Sequence, residues 1–184
     1  MKAFPLLLSF GREYNGSGSV EPTIGKYDFR ESRGSTFWNR NYTLIDRACP
    51  ERAHLKQRCI GIASSPLLFS NVFPLAIPNQ VNAKDAIRAG ISRSRISDHL
   101  RQVFGLPIIK RVQVVLLSVG SIPNFSLVHD LVTSQCHSQN MHLITLPYLG
   151  SRSSNRNVDE ALSHEDRSAI RRVMSQFFAS TNEG

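Results

Sequence analysis

The sequence lacks any apolar run that approaches the roughly 20 residues needed to span a bilayer. The apolar start at 4–8 is too short for a signal peptide, and charged residues follow it without a small-residue cleavage site, so it is predicted to be a strand. Three scattered cysteines favour a reduced compartment. We therefore expect an intracellular protein (cytoplasm, organellar matrix or virion interior) that is not secreted and has no membrane partner.

Nucleotide-binding and metal-binding motifs are also missing. The chain contains neither GxGxxG nor GxxxxGK[ST], and its six histidines form no HxxxH or HExxH set. Cys136, His137 and His142 could converge between a helix end and a strand start, but no fourth ligand stands out for a tetrahedral zinc site. The sequence therefore predicts no metal and no cofactor.

A catalytic site has weak support in the sequence. Gly120 and Ser121 follow an apolar strand, where backbone amides could hold an anion, but the GxSxG context of a hydrolase serine is absent. The adjacent residues His129 and Asp130 point about 100° apart on a helix, so they cannot both face Ser121. A small α/β enzyme with a site at the Gly120–Ser121 turn remains one alternative.

Lysine is scarce, whereas arginine is abundant: 17 of the 22 basic residues are Arg. The net charge of +8 is concentrated in two segments, with +4 in residues 1–58 and +5 in residues 82–111. The planar guanidinium suits bidentate contact with phosphate. This distribution favours a polyanionic partner over scattered, solvated arginines.

The order of apolar segments predicts an α/β domain over residues 59–184. The run 112–119 is β-branched without polar alternation, which is typical of a central strand buried on both faces. Further strands are expected at 59–63 and 141–146, and helices at 125–138 and after Ser163, whose spacing to Asp166 is that of a capping box. The stretch 67–78, broken by two prolines, is interpreted as a connector or an interface. We expect a small, largely parallel sheet flanked by helices.

The basic segment 83–104 precedes the central strand. Its apolar positions are interrupted by Gly90, which predicts two short helices with a turn. We expect Gly90 to adopt a positive φ and Ser92 to cap the second helix. The predicted buried side consists of Ala83, Ala86, Ile87, Ile96, Leu100 and Val103.

The run Ala86, Gly90, Ile91, Ser92, Ile96, Ser97, Leu100 resembles the helix-turn-helix of bacterial DNA-binding regulators. In that motif a turn glycine, a serine that opens the second helix and two apolar anchors recur at this spacing. The resemblance covers roughly twenty of the 184 residues and implies a helix that contacts DNA. The alternative is an ordinary amphipathic crossover helix between two strands.

Residues 1–58 are predicted to form an irregular, basic N-terminal arm. Aromatic residues alternate there with arginines, and they could stack on unpaired bases, dock onto a protein partner or close the edge of the core. The residues are Tyr27, Phe29, Phe37, Trp38 and Tyr42, interleaved with Arg30, Arg33, Arg40 and Arg47. Docking through this arm would suit a structural subunit of a ribonucleoprotein or a virion.

These patterns favour a nucleic-acid-binding protein, with DNA slightly preferred over RNA, that uses segment 83–104. The structural subunit, with protein partners, and the small enzyme are the alternatives. The residues predicted to contact nucleic acid are Lys84, Arg88, Arg93, Ser94, Arg95, Ser97, Arg101, Lys110 and Arg111.

Overall fold

A four-stranded parallel sheet organises the computed structural model, which describes residues 6–12, 36–50, 66–74, 84–149 and 160–181. The strands are β1 (Leu7–Gly11), β2 (Leu67–Asn71), β3 (Val114–Leu117) and β4 (His142–Thr145), in the order β2-β1-β3-β4. The helices are α1 (Thr36–Ala48), α2 (Lys84–Ala89), α3 (Arg93–Gly105), α4 (Phe125–Ser138) and α5 (His164–Thr181), with a 3-10 helix at Pro107–Arg111. The predicted small, parallel α/β fold is confirmed.

The sheet is covered on both faces because successive side chains of a strand point to opposite sides. Leu7, Val114 and Leu116 belong to a cluster with the apolar sides of α1 and α5. Leu8, Phe10 and the alternate residues of β3 belong to a second cluster with α3 and α4. All four residues of β3 are buried, as predicted for a central strand.

β1 lies in the middle of the sheet although it comes from the predicted N-terminal arm. It pairs with β2 on one side and with β3 on the other. α1, also from the arm, buries Leu44, Ile45 and Ala48 in the core. The predicted boundary at residue 58 therefore runs between elements of one fold. The remaining parts of the arm, 13–35 and 51–58, lie outside the described residues.

Two aromatic side chains of the arm close the edge of the core. Tyr42 is buried, with its ring centroid 6.4 Å from that of Phe69 in an edge contact. Phe37 is half-buried and stacks on Tyr148 at 6.2 Å. Their burial removes them from the surface on which bases could stack. The side chains of Tyr27, Phe29 and Trp38 lie outside the described residues.

Several predicted elements coincide with the observed ones. α4 has the predicted bounds, β4 lies within 141–146, and α5 begins at the predicted capping box. The apolar face of α5, from Ala169 to Phe178, is buried as expected. The interpretation of 67–78 as a connector or an interface is corrected at its start, because Leu67–Asn71 form the strand β2, which pairs with β1. The strand predicted at 59–63 lies outside the described residues.

The predicted pair of short helices with a turn is also present as α2 and α3. Ser92 caps α3, since its Oγ accepts a hydrogen bond from the Arg95 amide at 3.3 Å. The positive φ predicted for Gly90 is wrong: its amide donates to Ala86 O at 3.1 Å, and an added Cβ would meet only ordinary contacts. The predicted inward side of α2 is wrong too, because Ala86 and Ile87 are exposed. Ala83 lies outside the described residues.

The capping box at the start of α5 yields a stability prediction. Ser163 Oγ accepts from the Asp166 amide at 3.1 Å, the Asp166 carboxylate accepts from the Ser163 amide at 3.1 Å, and it also lies 2.8 Å from His142 Nε2. Replacing Asp166 with alanine should lower the free energy of unfolding by about 1 kcal/mol, measured by urea denaturation. Glu165→Ala is the matched control, because Glu165 is exposed in the same first turn. Equal losses in the two variants would contradict the capping role.

This contribution should depend on pH. Burial by itself raises the pKa of Asp166, but hydrogen bonds from His142 and Ser163 outweigh it, so the pKa lies below the ordinary 3.8. A pKa that is lower in the folded chain stabilises the fold above the unfolded value, and this stabilisation is lost as pH falls through the folded value. The difference between the two variants should therefore shrink when unfolding is measured below the unfolded pKa.

Candidate nucleic-acid interface

α3 is the crossover helix that connects β2 to β3. It buries Ile96, Leu100, Val103 and Phe104 against the sheet, and the Phe104 ring lies 5.7 Å from that of Phe10. His99 Nε2 lies 2.8 Å from Asn71 O at the end of β2, and this hydrogen bond attaches the outer part of α3 to the sheet. The apolar anchors of the helix-turn-helix resemblance are therefore core residues of an amphipathic crossover helix. Only the outer side of α3 and its ends can meet a partner.

The first turn of α3 presents a basic surface. Arg93, Ser94 and Arg95 are exposed, and Ser94 Oγ lies 3.1 Å from Ser92 Oγ. Within the described part of the chain, neither arginine forms a salt bridge. The first turn contains no acidic residue, whereas the first turn of α5 has two. Because a helix N-terminus carries partial positive charge, cations there are unfavourable by about 0.3–1 kcal/mol each unless an anion compensates them.

Arg88 does not face solvent, contrary to its predicted contact with nucleic acid. Its side chain is 5% exposed, and its Nη1 contacts the carboxylate of Asp85, which is 73% exposed. Its guanidinium therefore cannot reach a phosphate in this fold. Lys84, at the start of α2, is half-buried and already interacts with other residues of the chain.

Arg101 and Ser97 are also weaker candidates than predicted. Arg101 Nη1 donates to Asp98 Oδ1 at 2.8 Å, and both side chains are more than half exposed. An exposed pair of this kind contributes about 0–1 kcal/mol, so a phosphate could displace it, but the two charges cancel in the free protein. Ser97 is half-buried. The outer middle of α3 is therefore close to neutral.

The remaining predicted residues, Lys110 and Arg111, lie in the 3-10 helix that follows α3, and both are exposed. α3 has 13 residues, which corresponds to about 20 Å at roughly 1.5 Å per residue. The basic residues thus form two groups, one at each end of α3. We call them the first-turn group (Arg93, Ser94, Arg95) and the 3-10 group (Lys110, Arg111).

The Gly120–Ser121 turn is held by Arg12, which sequence reasoning did not single out. Arg12 Nε donates to Val119 O at 2.6 Å and Nη2 to Ser121 O at 3.3 Å, and its guanidinium carbon lies 4.1 Å from the Tyr148 ring centroid. β1 and β3 are adjacent, and their following helices α1 and α4 lie on opposite faces, so Arg12 lies where α/β folds commonly bind ligands. Here the guanidinium and the tyrosine ring occupy that position and brace the turn. The enzyme alternative stays a prediction.

The histidines and cysteines weighed from the sequence as metal ligands or catalytic groups lie at separate places in the described structure. Among the described residues, no group of three or more His, Cys, Asp and Glu side chains could hold a metal ion. Burial raises the pKa of Cys136 to about 12, so its thiol remains protonated at neutral pH and is a poor ligand or nucleophile. His129 pairs with Asp130, 3.9 Å away, on the surface of α4.

No helix in the described ranges combines the length and the apolar character that crossing a bilayer requires. Comparison of the sequence with models of known protein families gives no match, and comparison with curated proteins gives none either. The case for a function therefore depends on the charges and exposure of the two basic groups.

Proposed function

We propose that this chain binds nucleic acid, with duplex DNA as the preferred ligand, through phosphate contacts of the first-turn group. The observation that supports the proposal is the exposure of Arg93 and Arg95 at a helix N-terminus with no acidic residue in its first turn. A phosphate placed there would interact favourably with the helix dipole and with both guanidinium groups.

Each residue of the first turn has a part in this contact. The Ser92 hydroxyl is engaged by the Arg95 amide, which fixes the start of the helix. The exposed Ser94 hydroxyl can donate to a phosphate oxygen, and the two arginines can grip oxygens on either side. Such contacts position a protein on a duplex without reading its sequence, so binding should be strongly salt-dependent.

DNA is preferred because α3 is basic at its start and exposed along its outer side, and the major groove of B-form DNA is wide enough to admit an α-helix. In A-form RNA the major groove is too deep and narrow for side chains to read, although its phosphates remain accessible. The RNA duplex of the same sequence is therefore a comparison within the test.

The double variant Arg93→Ala/Arg95→Ala should bind duplex DNA about tenfold more weakly near physiological salt, a loss of about 1.4 kcal/mol. The slope of log affinity against log salt concentration should also become less negative by about 1.8, since each phosphate contact contributes about −0.9 to that slope. Fluorescence anisotropy with a labelled duplex at several salt concentrations measures both quantities.

The matched control is Arg171→Ala/Arg172→Ala, which removes the same charge from exposed positions on α5, on the opposite face of the sheet. Because Arg171 Nε donates to Ala48 O at 2.6 Å, circular dichroism is used first to check that this variant keeps the fold. Its affinity and salt slope should stay close to those of the unmodified protein. The proposal fails if the unmodified protein does not bind the duplex, or if the two double variants lose affinity equally. Equal losses would mean that net charge alone attracts the DNA.

A further inference from the structure

Large apolar side chains are exposed beside the 3-10 group. Leu106 is 49% and Ile108 43% exposed, and Pro107 between them is exposed as well. Among the described residues only Ile87 is a comparably exposed large apolar side chain, so Leu106, Pro107 and Ile108 form a contiguous apolar surface whose burial against a partner would be favourable. The first-turn group does not account for it.

The geometry of a 3-10 helix explains why Pro107 and Ile108 point outward, whereas Leu106 precedes this helix as its N-cap. Residues three apart lie above one another, so Ile109 and Val112 form one line, which is buried at 2% and 4% exposure. The other two lines face solvent, and each joins an apolar residue to a basic one: Pro107 with Lys110, and Ile108 with Arg111. The exposed surface thus begins with Leu106, Pro107 and Ile108, which we call the apolar tip, and ends with the basic residues Lys110 and Arg111.

The tip is held in place before any partner arrives. The Leu106 amide donates to Val103 O at 3.2 Å, and the Ile109 and Val112 amides donate to Leu106 O and Ile109 O, both at 2.9 Å. Beside it, a Cβ added to Gly105 would meet no atom within 4 Å, so the chain that leads into the tip is open to solvent. Little conformational entropy would be lost when it is buried against a partner.

The charge around the tip indicates the partner. No acidic residue occurs in the sequence from His99 to His129, so the charged residues that flank the tip along the chain are Arg101, Lys110 and Arg111. Proteins that bind the DNA minor groove insert Leu, Ile or Pro between base pairs while neighbouring cations hold the phosphates. We propose that Leu106, Pro107 and Ile108 form an apolar wedge that inserts into the minor groove of duplex DNA, with Lys110 and Arg111 on the flanking phosphates.

This inference depends on the proposed DNA binding and extends it. The two basic groups lie at opposite ends of α3, whose length of about 20 Å corresponds to about six base pairs at roughly 3.4 Å per pair. The first-turn group would hold one phosphate segment while the wedge opens a base step beyond it. Insertion kinks the duplex by about 20–90°, so flexible TA and CA steps, which deform most easily, should be preferred at that position.

The experiment uses the full chain and a duplex of about 20 base pairs, longer than the estimated six-pair contact, with one central TA step. Donor and acceptor dyes on its ends report bending, and 2-aminopurine beside the TA step reports unstacking. The unmodified protein should raise both energy transfer and 2-aminopurine fluorescence. Leu106→Ala/Ile108→Ala should remove both signals, whereas Ile87→Ala, at an equally exposed apolar residue on α2, should remove neither.

The outcomes separate the two proposals. Absence of DNA binding overturns both of them. Binding that is lost with Arg93 and Arg95 but shows neither bending nor unstacking overturns the wedge and leaves the proposed function standing. Vesicles of phosphatidylserine provide the last comparison. If the protein binds them through Leu106 and Ile108 while the duplex stays straight, the tip is a lipid-binding surface and the wedge is overturned.

Discussion

Replacing Phe10 with alanine should lower the free energy of unfolding by about 3–5 kcal/mol, which is a large part of the stability of a domain this size. Phe10 lies in β1, at the centre of the sheet, and is fully buried. Its ring packs 5.7 Å from that of Phe104 on α3, so alanine would leave a cavity between the sheet and the crossover helix. The cost combines the lost transfer of the side chain from water with the cavity that remains.

Urea denaturation followed by circular dichroism measures this loss, and the matched control is Leu106→Ala. Leu106 is a large apolar residue at the end of the same α3 but is about half exposed, so its variant should stay within about 0.5 kcal/mol of the unmodified protein. A loss below about 1 kcal/mol for Phe10→Ala would place β1 outside the cooperative core. That result would restore an N-terminal arm independent of the rest of the fold.

The sheet and the long helices could be predicted from the sequence because their apolar patterns extend over enough residues. β3 shows a continuous β-branched run, and α5 repeats its apolar positions over several turns behind a capping box. β1 was predicted as a strand, but its place between β2 and β3 was not, because pairing between residues as far apart in the chain as Leu7 and Val114 leaves no local pattern. The packing of α1 against the core could not be predicted for the same reason.

The candidate interface was harder to predict, because burial of single residues in short elements is set by tertiary packing. α2 has six residues, too few for a periodicity to define its inner side, and it buries Arg88 while Ile87 is exposed. Arg101 could have been questioned from the sequence, since Asp98 precedes it by three residues on the same helix. Arg93 and Arg95 remain exposed because they lie in the first turn of α3, ahead of its buried residues.

The residues of the proposed wedge show a different limit of sequence reasoning. Sequence reasoning assigned no element to Leu106, Ile108 and Ile109, which lie between the basic segment and the apolar run, and β3 starts only at Val114. Pro107 at the first position of a 3-10 helix changes the period from two to three, and this change decides which apolar residues face inward. Ile109 is buried and Ile108 is exposed. Alternation along a strand would also bury only one of two neighbouring residues, but here the three-residue period of the 3-10 helix decides which one.

Replacing Gly120 with valine should destabilise the fold by about 2–5 kcal/mol. Gly120 has a φ of 57°, a left-handed conformation that a β-branched residue very rarely adopts. An added Cβ would lie 3.0 Å from the Cβ of Tyr148 and 3.2 Å from Nη2 of Arg12. Neither neighbour can easily move, because Arg12 is bound to the carbonyls of Val119 and Ser121 and packs on the Tyr148 ring.

Gly105→Val separates this strain from the general effect of adding a side chain to glycine. Gly105 is exposed at the end of α3, and nothing lies within 4 Å of its added Cβ, so valine there should change the free energy of unfolding by no more than about 0.5 kcal/mol. Thermal and urea unfolding of the two variants give the comparison. Similar stabilities would mean that the Gly120 turn can relax, and Arg12 would then not be a rigid brace between β1, β3 and the residues after β4. A large difference would mean that the Gly120 turn cannot relax, as expected if Arg12 and Tyr148 hold it rigidly at the carboxyl edge of the sheet.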